Sequence, residues 1–313
     1  MLAVSRKRAA ESLVETAAPP ASEGGGGGAA DDWRHAIAQI EADGAARSRL
    51  EAELREMVGP TSLAPEFYCA FLRAKSYDVP KTAALLKNYD AFRDISGWRT
   101  GVSAASTERC LRTGFNLLLP NTDVHGHVVV TQRMGLIDTS RHGAMEAHQR
   151  AGYYLLHRAL HRPEAQTRGI ALLLDFRGFD FSLLRRIGRS DLRRGVAMLQ
   201  DCVPAHLQVI YVLHQPGWLR ALVALLRPLL HRPTLKQKFI LLGGEYDRLH
   251  AHIPAASLPE RVEAGGTLSE EAFNWDAQVD AWVAEESAVP GFDAAALIET
   301  AGRALSGGAI AVS

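Results

Sequence analysis

Two histidines four residues apart, His157 and His161, would share one face of a helix, a spacing at which two imidazoles can hold a metal ion. No His-Glu-x-x-His motif accompanies them and no third ligand is identifiable. With Arg158 and Arg162 alongside, the pair reads as part of a wet helix face. The nearest approach to a nucleophile elbow is Gly101-Val102-Ser103-Ala104-Ala105, which lacks the second glycine and follows no convincing strand. Asp175 ends an apolar run and is a candidate general acid, but no partner carboxylate is placed beside it, and capping of the next turn is the better reading. His125-Gly126-His127 and His250-Ala251-His252 look like loop residues. Cys69, Cys110 and Cys202 are odd in number, far apart and match no zinc spacing; they suit a reducing compartment. The chemistry-bearing residues therefore argue against an enzyme, a bound metal or a cofactor.

The elements that would position these residues change character along the chain. Residues 1–30, with Pro19-Pro20 and Gly24 to Gly28, read as a disordered tail. No strand precedes those glycines and no Gly-Lys-Ser follows, so they are no phosphate loop. Residues 31–104 read as a helical module. Asp31-Asp32 would cap a helix bearing Trp33, Ile37 and Ile40, and a second group, Leu50, Leu54 and Met57, stops at Gly59-Pro60. Pro65 to Lys75 puts Phe67 and Phe71 on one face. Asp78 caps a helix with Leu85, Leu86, Tyr89 and Phe92, and Pro80 sits in its first turn.

Beyond residue 105 apolar strands alternate with helices, as in an α/β sheet that is at least partly parallel. Val128 to Val130, Ile170 to Leu174, Leu207 to Leu213 and Phe239 to Leu242 are the strands; Ala144 to Leu160 and Leu183 to Cys202 read as helices. Continuous apolar runs such as Ile170–Leu174 mark a sheet covered on both faces. Between the last two strands, Trp218 to Leu230 carries only Arg220 and Arg227 as charges. Such a helix is buried in a large core or closes over something apolar; set between two strands, it reads as the lid of an apolar cavity. Residues 105–273 form this domain, and 274–313 a C-terminal tail with one short helical candidate, Ala281 to Glu286.

Composition agrees. With 313 residues and 47% hydrophobic content, the chain can build one large domain or two smaller ones. A formal net charge of zero gives no whole-protein steering toward nucleic acid or acidic membrane, and basic–aromatic interleaving typical of nucleic-acid modules is missing. No apolar run is long enough to span a membrane. Met1 to Glu15 has no continuous apolar core and does not read as a secretory signal. A cytoplasmic protein is expected.

Several motifs share an order that resembles the CRAL-TRIO lipid-transfer family. Phe71-Leu72-Arg73-Ala74-Lys75, Tyr77-Asp78-Val79 and Leu85-Leu86-Lys87-Asn88-Tyr89 resemble its N-terminal helical signature. Asp175-Phe176-Arg177-Gly178 resembles its strand-ending Asp-x-x-Gly. Leu199 to Pro204, the Pro216-to-Pro228 lid segment, Leu258-Pro259 and Gly265-Gly266-Thr267-Leu268 then follow. The resemblance implies a helical module packed on a sheet-floored cavity and a mobile lid helix that admits one hydrophobic ligand of the tocopherol, retinoid or phospholipid class. It places Tyr153, Leu156, Leu172, Leu174, Met198, Ile210 and Val212 in the cavity wall, and Leu222, Val223 and Leu226 on the inner lid face. Tyr153 and Tyr211 would be polar anchors. By the same resemblance Arg73 and Lys238, with Lys75 and Lys236 close by, would read phosphoinositide headgroups and hold the carrier transiently at a membrane. Two further basic positions of that cluster are His206 and Gln208 here, and the family's Asn-Glu-Pro is His214-Gln215-Pro216. The alternative reading is a membrane-trafficking adaptor of the same fold that senses a phosphoinositide.

Overall fold

Strands rich in leucine and valine, with few charges until their last residues, build a sheet that must be covered on both sides. In the computed structural model, which describes residues 35, 37–59, 65–139, 143–219, 238–262 and 264–307, five strands lie in the order β1-β2-β3-β4-β5. They are β1 (Asn116–Thr122), β2 (Val128–Arg133), β3 (Ile170–Asp175), β4 (Leu207–Leu213) and β5 (Phe239–Gly243). β1 runs antiparallel to β2, and the other neighbours are parallel. The sequence reading lacks β1. Its Pro120 sits on an edge strand, where a missing N–H costs no ladder bond.

Before the sheet, besides helical residues 37–42, lie α1 (Gly44–Val58), α2 (Pro65–Ala74), α3 (Val79–Ser96) and α4 (Ala104–Leu111). Their ends follow local chemistry. Asp43 accepts from Ala45 N and Ala46 N (3.1 and 3.0 Å), and Asp78 accepts from Lys81 N at 3.0 Å. Gly97 closes α3 in the left-handed conformation. Phe67 and Phe71 of α2 pack on Tyr89 of α3, with ring centroids 5.7 and 5.2 Å away.

Helices α5 (Ala144–Leu160) and α6 (Pro163–Thr167) link β2 to β3; α7 (Phe181–Arg186) and α8 (Arg189–Ala197) link β3 to β4. The single helix expected over Leu183–Cys202 is in fact broken. Ile187 and Gly188 are extended, and a π-helical turn over Met198–Cys202 ends the segment. The apolar spacing runs across the break, which hid it. After β5 come α9 (Tyr246–His250), α10 (Trp275–Ser287) and α11 (Ala295–Gly307).

The short helical candidate at Ala281–Glu286 is the end of α10, and α11 had no sequence counterpart. Both are woven into the core. Trp275 Nε1 donates to Leu111 O at 2.8 Å, and α11 packs on α2 and α5 with Leu297 and Ile298 buried. Arg158 of α5 donates to Glu286 (2.6 Å) and to Tyr154 Oη (2.8 Å), while Glu286 Oε2 also receives Ala104 N at the start of α4 (2.6 Å).

Candidate lipid-binding face

Strand register collects the site. Val130, Leu172 and Ile210 lie side by side, as do Gln132, Leu174, Val212 and Leu241, so these side chains share the inner sheet face. Helix α5 packs on β1 and β2. Of the expected wall residues, Leu156, Leu172, Met198, Ile210 and Val212 are buried, and Leu174 is half-buried. A small apolar pocket at this face is lined by Leu156, Ile170, Leu172, Leu199, Val203, Ala205 and Leu207. Leu207 escaped the sequence reading because Ile170 pairs with Leu207 and Ala171 with Val209, leaving Gln208 as an extra residue. That bulge brings Leu207 and Ile210 to one face despite their odd spacing. Gly169 belongs to the same device: its φ is +96°, and a Cβ there would lie 2.6 Å from His206 O.

Tyr153 departs from expectation. It faces α3, where its hydroxyl donates to Tyr89 Oη at 3.0 Å and its ring lies 5.5 Å from Trp98. Residues 148–149 and 151–160 of α5 are all buried, so periodicity could not tell which stripe meets the sheet. Tyr211 alternates with Ile210 and Val212 and so lies on the opposite face, 5.1 Å from the His252 ring. Leu222, Val223, Leu226 and the rest of the expected lid beyond Leu219 lie outside the described residues.

The basic residues divide. Arg73 is fully buried; its Nε and Nη2 donate to Glu41 (2.6 and 3.2 Å) and its Nη1 to Gln166 (2.8 Å). This corrects the expectation for Arg73, since its donors are committed to Glu41 and to Gln166 of α6 rather than offered to a headgroup. Burial alone would raise the Glu41 carboxyl, but Arg73, Tyr77 and Arg47 outweigh it and hold that group below its ordinary value. His206 Nε2 donates to Arg73 O at 3.0 Å, and the charges of Lys75 and Lys238 both act on its ring. Burial first, then both lysines, push the His206 pKa down to about 4. Lys238 also donates to Leu207 O. Gln208 lies against Gly169, and Lys236 is outside the described residues.

The other candidates for chemistry resolve into structural roles. Ser103 caps α4, accepting from Ser106 N at 3.2 Å. Asp175 caps its turn as expected, accepting from Arg177 N at 2.9 Å, and it also holds His214 Nδ1 at 2.7 Å. That pairing was invisible in sequence, where 39 positions separate the two. The second His214 nitrogen faces Tyr246 Oη at 3.1 Å, not a serine or cysteine nucleophile. His157 is not on a wet face. It is fully buried, donating to Tyr153 O (2.8 Å) and accepting from Tyr89 (3.1 Å), and burial drives its pKa down to about 3. Asp123 gathers His125 N, His127 N and His127 Nδ1 at 2.8–3.0 Å in the β1–β2 loop. Among the described residues, no group of three or more His, Cys, Asp or Glu is placed to hold a metal ion.

A parallel four-strand run with one antiparallel edge, an apolar inner face and an Asp-x-x-Gly turn at the end of β3 together define the class. Residues 112–266 match the family model of the CRAL/TRIO domain, and over this domain the chain belongs to the CRAL-TRIO family. Among its relatives, "Alpha-tocopherol transfer protein-like" of Homo sapiens is 29% identical over 221 residues, covering 69% of this chain and 63% of that protein. The Mus musculus counterpart gives the same identity and coverage. "Clavesin-2" of Rattus norvegicus is 30% identical over 210 residues, 64% of this chain and 62% of its own. The chain thus spans under two thirds of the length of these relatives. A solved chain described as "Crystal structure of Sfh5" overlays 70% of this chain and 83% of its own with a TM-score of 0.38 at 11% identity.

Proposed function

We propose that the chain is a lipid carrier that encloses one hydrophobic molecule against the inner face of the sheet and exchanges it at membranes. The observation that carries this reading is the face itself. Leu172, Ile210 and Val212 are buried beneath the helical layer, while Leu174, Leu241 and Phe239 toward β5 remain half-buried. Parallel neighbours are joined by a connection that crosses one face of the sheet, right-handed in nearly all cases. Applied to β4 and β5, that rule supports Trp218 to Leu230 as a lid over this face. Each buried methylene contributes about 0.8 kcal/mol, so a long-chain lipid leaves a bilayer slowly unless an apolar enclosure receives it. The family, and relatives named for tocopherol transfer, favour a carrier over an enzyme. No helix among the described residues is long and apolar enough to cross a membrane, so membrane contact would be peripheral and reversible.

A second reading rests on Lys75 and Lys238, whose positive charges both bear on His206. With Lys236 they would attract phosphoinositide headgroups, guiding the carrier to its membrane or making the chain a phosphoinositide-sensing adaptor. Native mass spectrometry of protein from eukaryotic cells, with the lipid identified after extraction, tests the carrier. One bound species at near one-to-one ratio is expected. Protein that stays empty after exposure to mixed-lipid vesicles would leave the adaptor.

A further inference from the structure

The inner face is not uniformly apolar. Asn116, the first residue of β1, pairs across the sheet with Gln132, whose row continues through Leu174, Val212 and Leu241. This row thus begins with two amides at the β1 edge and becomes apolar toward β5. Asn116 is 2% exposed, yet its Oδ1 has no hydrogen-bond partner. Above it lies Gly152 of α5, a position with no side chain; a Cβ there would stand 3.6 Å from Asn116 Nδ2 and 3.8 Å from Met198 Cε. One turn earlier on the same helix stripe, Gln149 is 7% exposed. Its Nε2 is spent on Asp191 O at 2.6 Å, and its Oε1 is buried with no partner.

Folded proteins leave few buried acceptors unpaired, because each forfeits the hydrogen bonds it made to water. Two such carbonyl oxygens, on β1 and on the α5 stripe above it, mark a place prepared for a donor. We infer that Asn116 and Gln149 are the polar anchor of the binding face, and that they select an amphiphile bearing a hydroxyl over a purely apolar or ether lipid of the same length. The inference rests on the carrier reading and adds the ligand's polar chemistry to it. The hydroxyl would lie at the β1 edge and donate to an amide oxygen, with the apolar body extending over Leu174 and Val212.

The test uses the full chain stripped of lipid and offered hexadecanol, its methyl ether or hexadecane from neutral phosphatidylcholine vesicles, with bound ligand quantified by mass spectrometry. The wild type should retain the alcohol about tenfold better than the ether, the usual consequence of leaving a buried acceptor unpaired. Asn116→Leu and Gln149→Met, which keep volume and remove the acceptor, should each reduce that preference and bring alcohol and ether retention together. The unfolding temperature of Asn116→Leu should not fall, as an apolar isostere removes an unpaired group, whereas Gln149→Met also gives up the bond to Asp191 O and should fall modestly. If Asn116→Leu fails to fold, Gln149→Met carries the comparison. Equal retention of alcohol and ether by the wild type would overturn the anchor and leave the carrier standing, as would an unchanged preference in folded variants. Retention of none of the three probes would overturn the carrier reading and the anchor with it.

Discussion

Arg73 shows how a single side chain changes meaning once its neighbours are known. A guanidinium with no exposure, donating to Glu41 and Gln166, stabilises the packing of the helical module only while both partners remain. Arg73→Ala should cost about 3–5 kcal/mol in urea unfolding, because it strands the Glu41 charge. The Glu41 carboxyl is held low in the folded state, so its contribution is complete above pH 4.5 and is lost as pH falls through its folded value. Glu41→Gln should flatten the acid limb of the stability curve. His157 works in the opposite sense. Its folded pKa, about 3, lies below its ordinary 6.5, so between those values the unfolded chain binds the extra proton. Acidification from pH 6.5 toward 4 should therefore lower stability by about 1.4 kcal/mol per unit from this group. Urea midpoints of wild type and His157→Gln at pH 7 and pH 5 check it: the variant should lose less between them.

At the scale of elements, the C-terminal helices act as a clamp. Glu286 of α10 ties Arg158 and Tyr154 of α5 to the first N–H of α4, and Arg158 also lies over the Trp282 ring at 5.1 Å. Removing the carboxylate leaves Arg158, among the described residues, with the exposed Glu285 as its remaining ion-pair partner, and one helix N-terminus uncapped by it. Glu286→Ala should cost about 3–5 kcal/mol, read by chemical denaturation, whereas Glu285→Ala should cost under about 1 kcal/mol. The same clamp holds α5, which bears both Leu156 of the apolar pocket and Gln149. A destabilised α10 should therefore weaken ligand retention even though it lines no part of the binding face.

For the whole molecule, the proposed membrane contact would have to come from a local surface because the chain's net charge is zero. If Lys75 and Lys238 attract anionic headgroups, Lys75→Glu with Lys238→Glu should weaken binding to phosphoinositide vesicles at least about tenfold at low salt, with the effect shrinking as salt rises. Vesicle co-sedimentation over a salt series reads this directly; binding that survives both reversals would remove the headgroup reading. Arg73 is unsuited to the same experiment, since its reversal would unfold the helical module first. Bound lipid should itself raise the unfolding temperature, by the equivalent of about 2.7 kcal/mol at a hundredfold excess over Kd.

Periodicity and caps made much of this architecture legible. Asp78, Pro80 and the apolar faces around Tyr89 specify α3 locally, and the unbroken run Ile170–Leu174 carries the mark of a strand covered on both faces. Motif order carried the family. Those signals act over a few residues, where backbone geometry and the need to bury apolar surface are set by the local sequence. Contacts between distant segments left no such trace. His214 with Asp175, Arg73 with Glu41, Glu286 with Arg158, and the turn of α5 that aims Tyr153 at α3 rather than at the sheet were decided only when the layers packed. A helix buried on every side, such as α5, carries no periodic mark of which neighbour each side chain will meet.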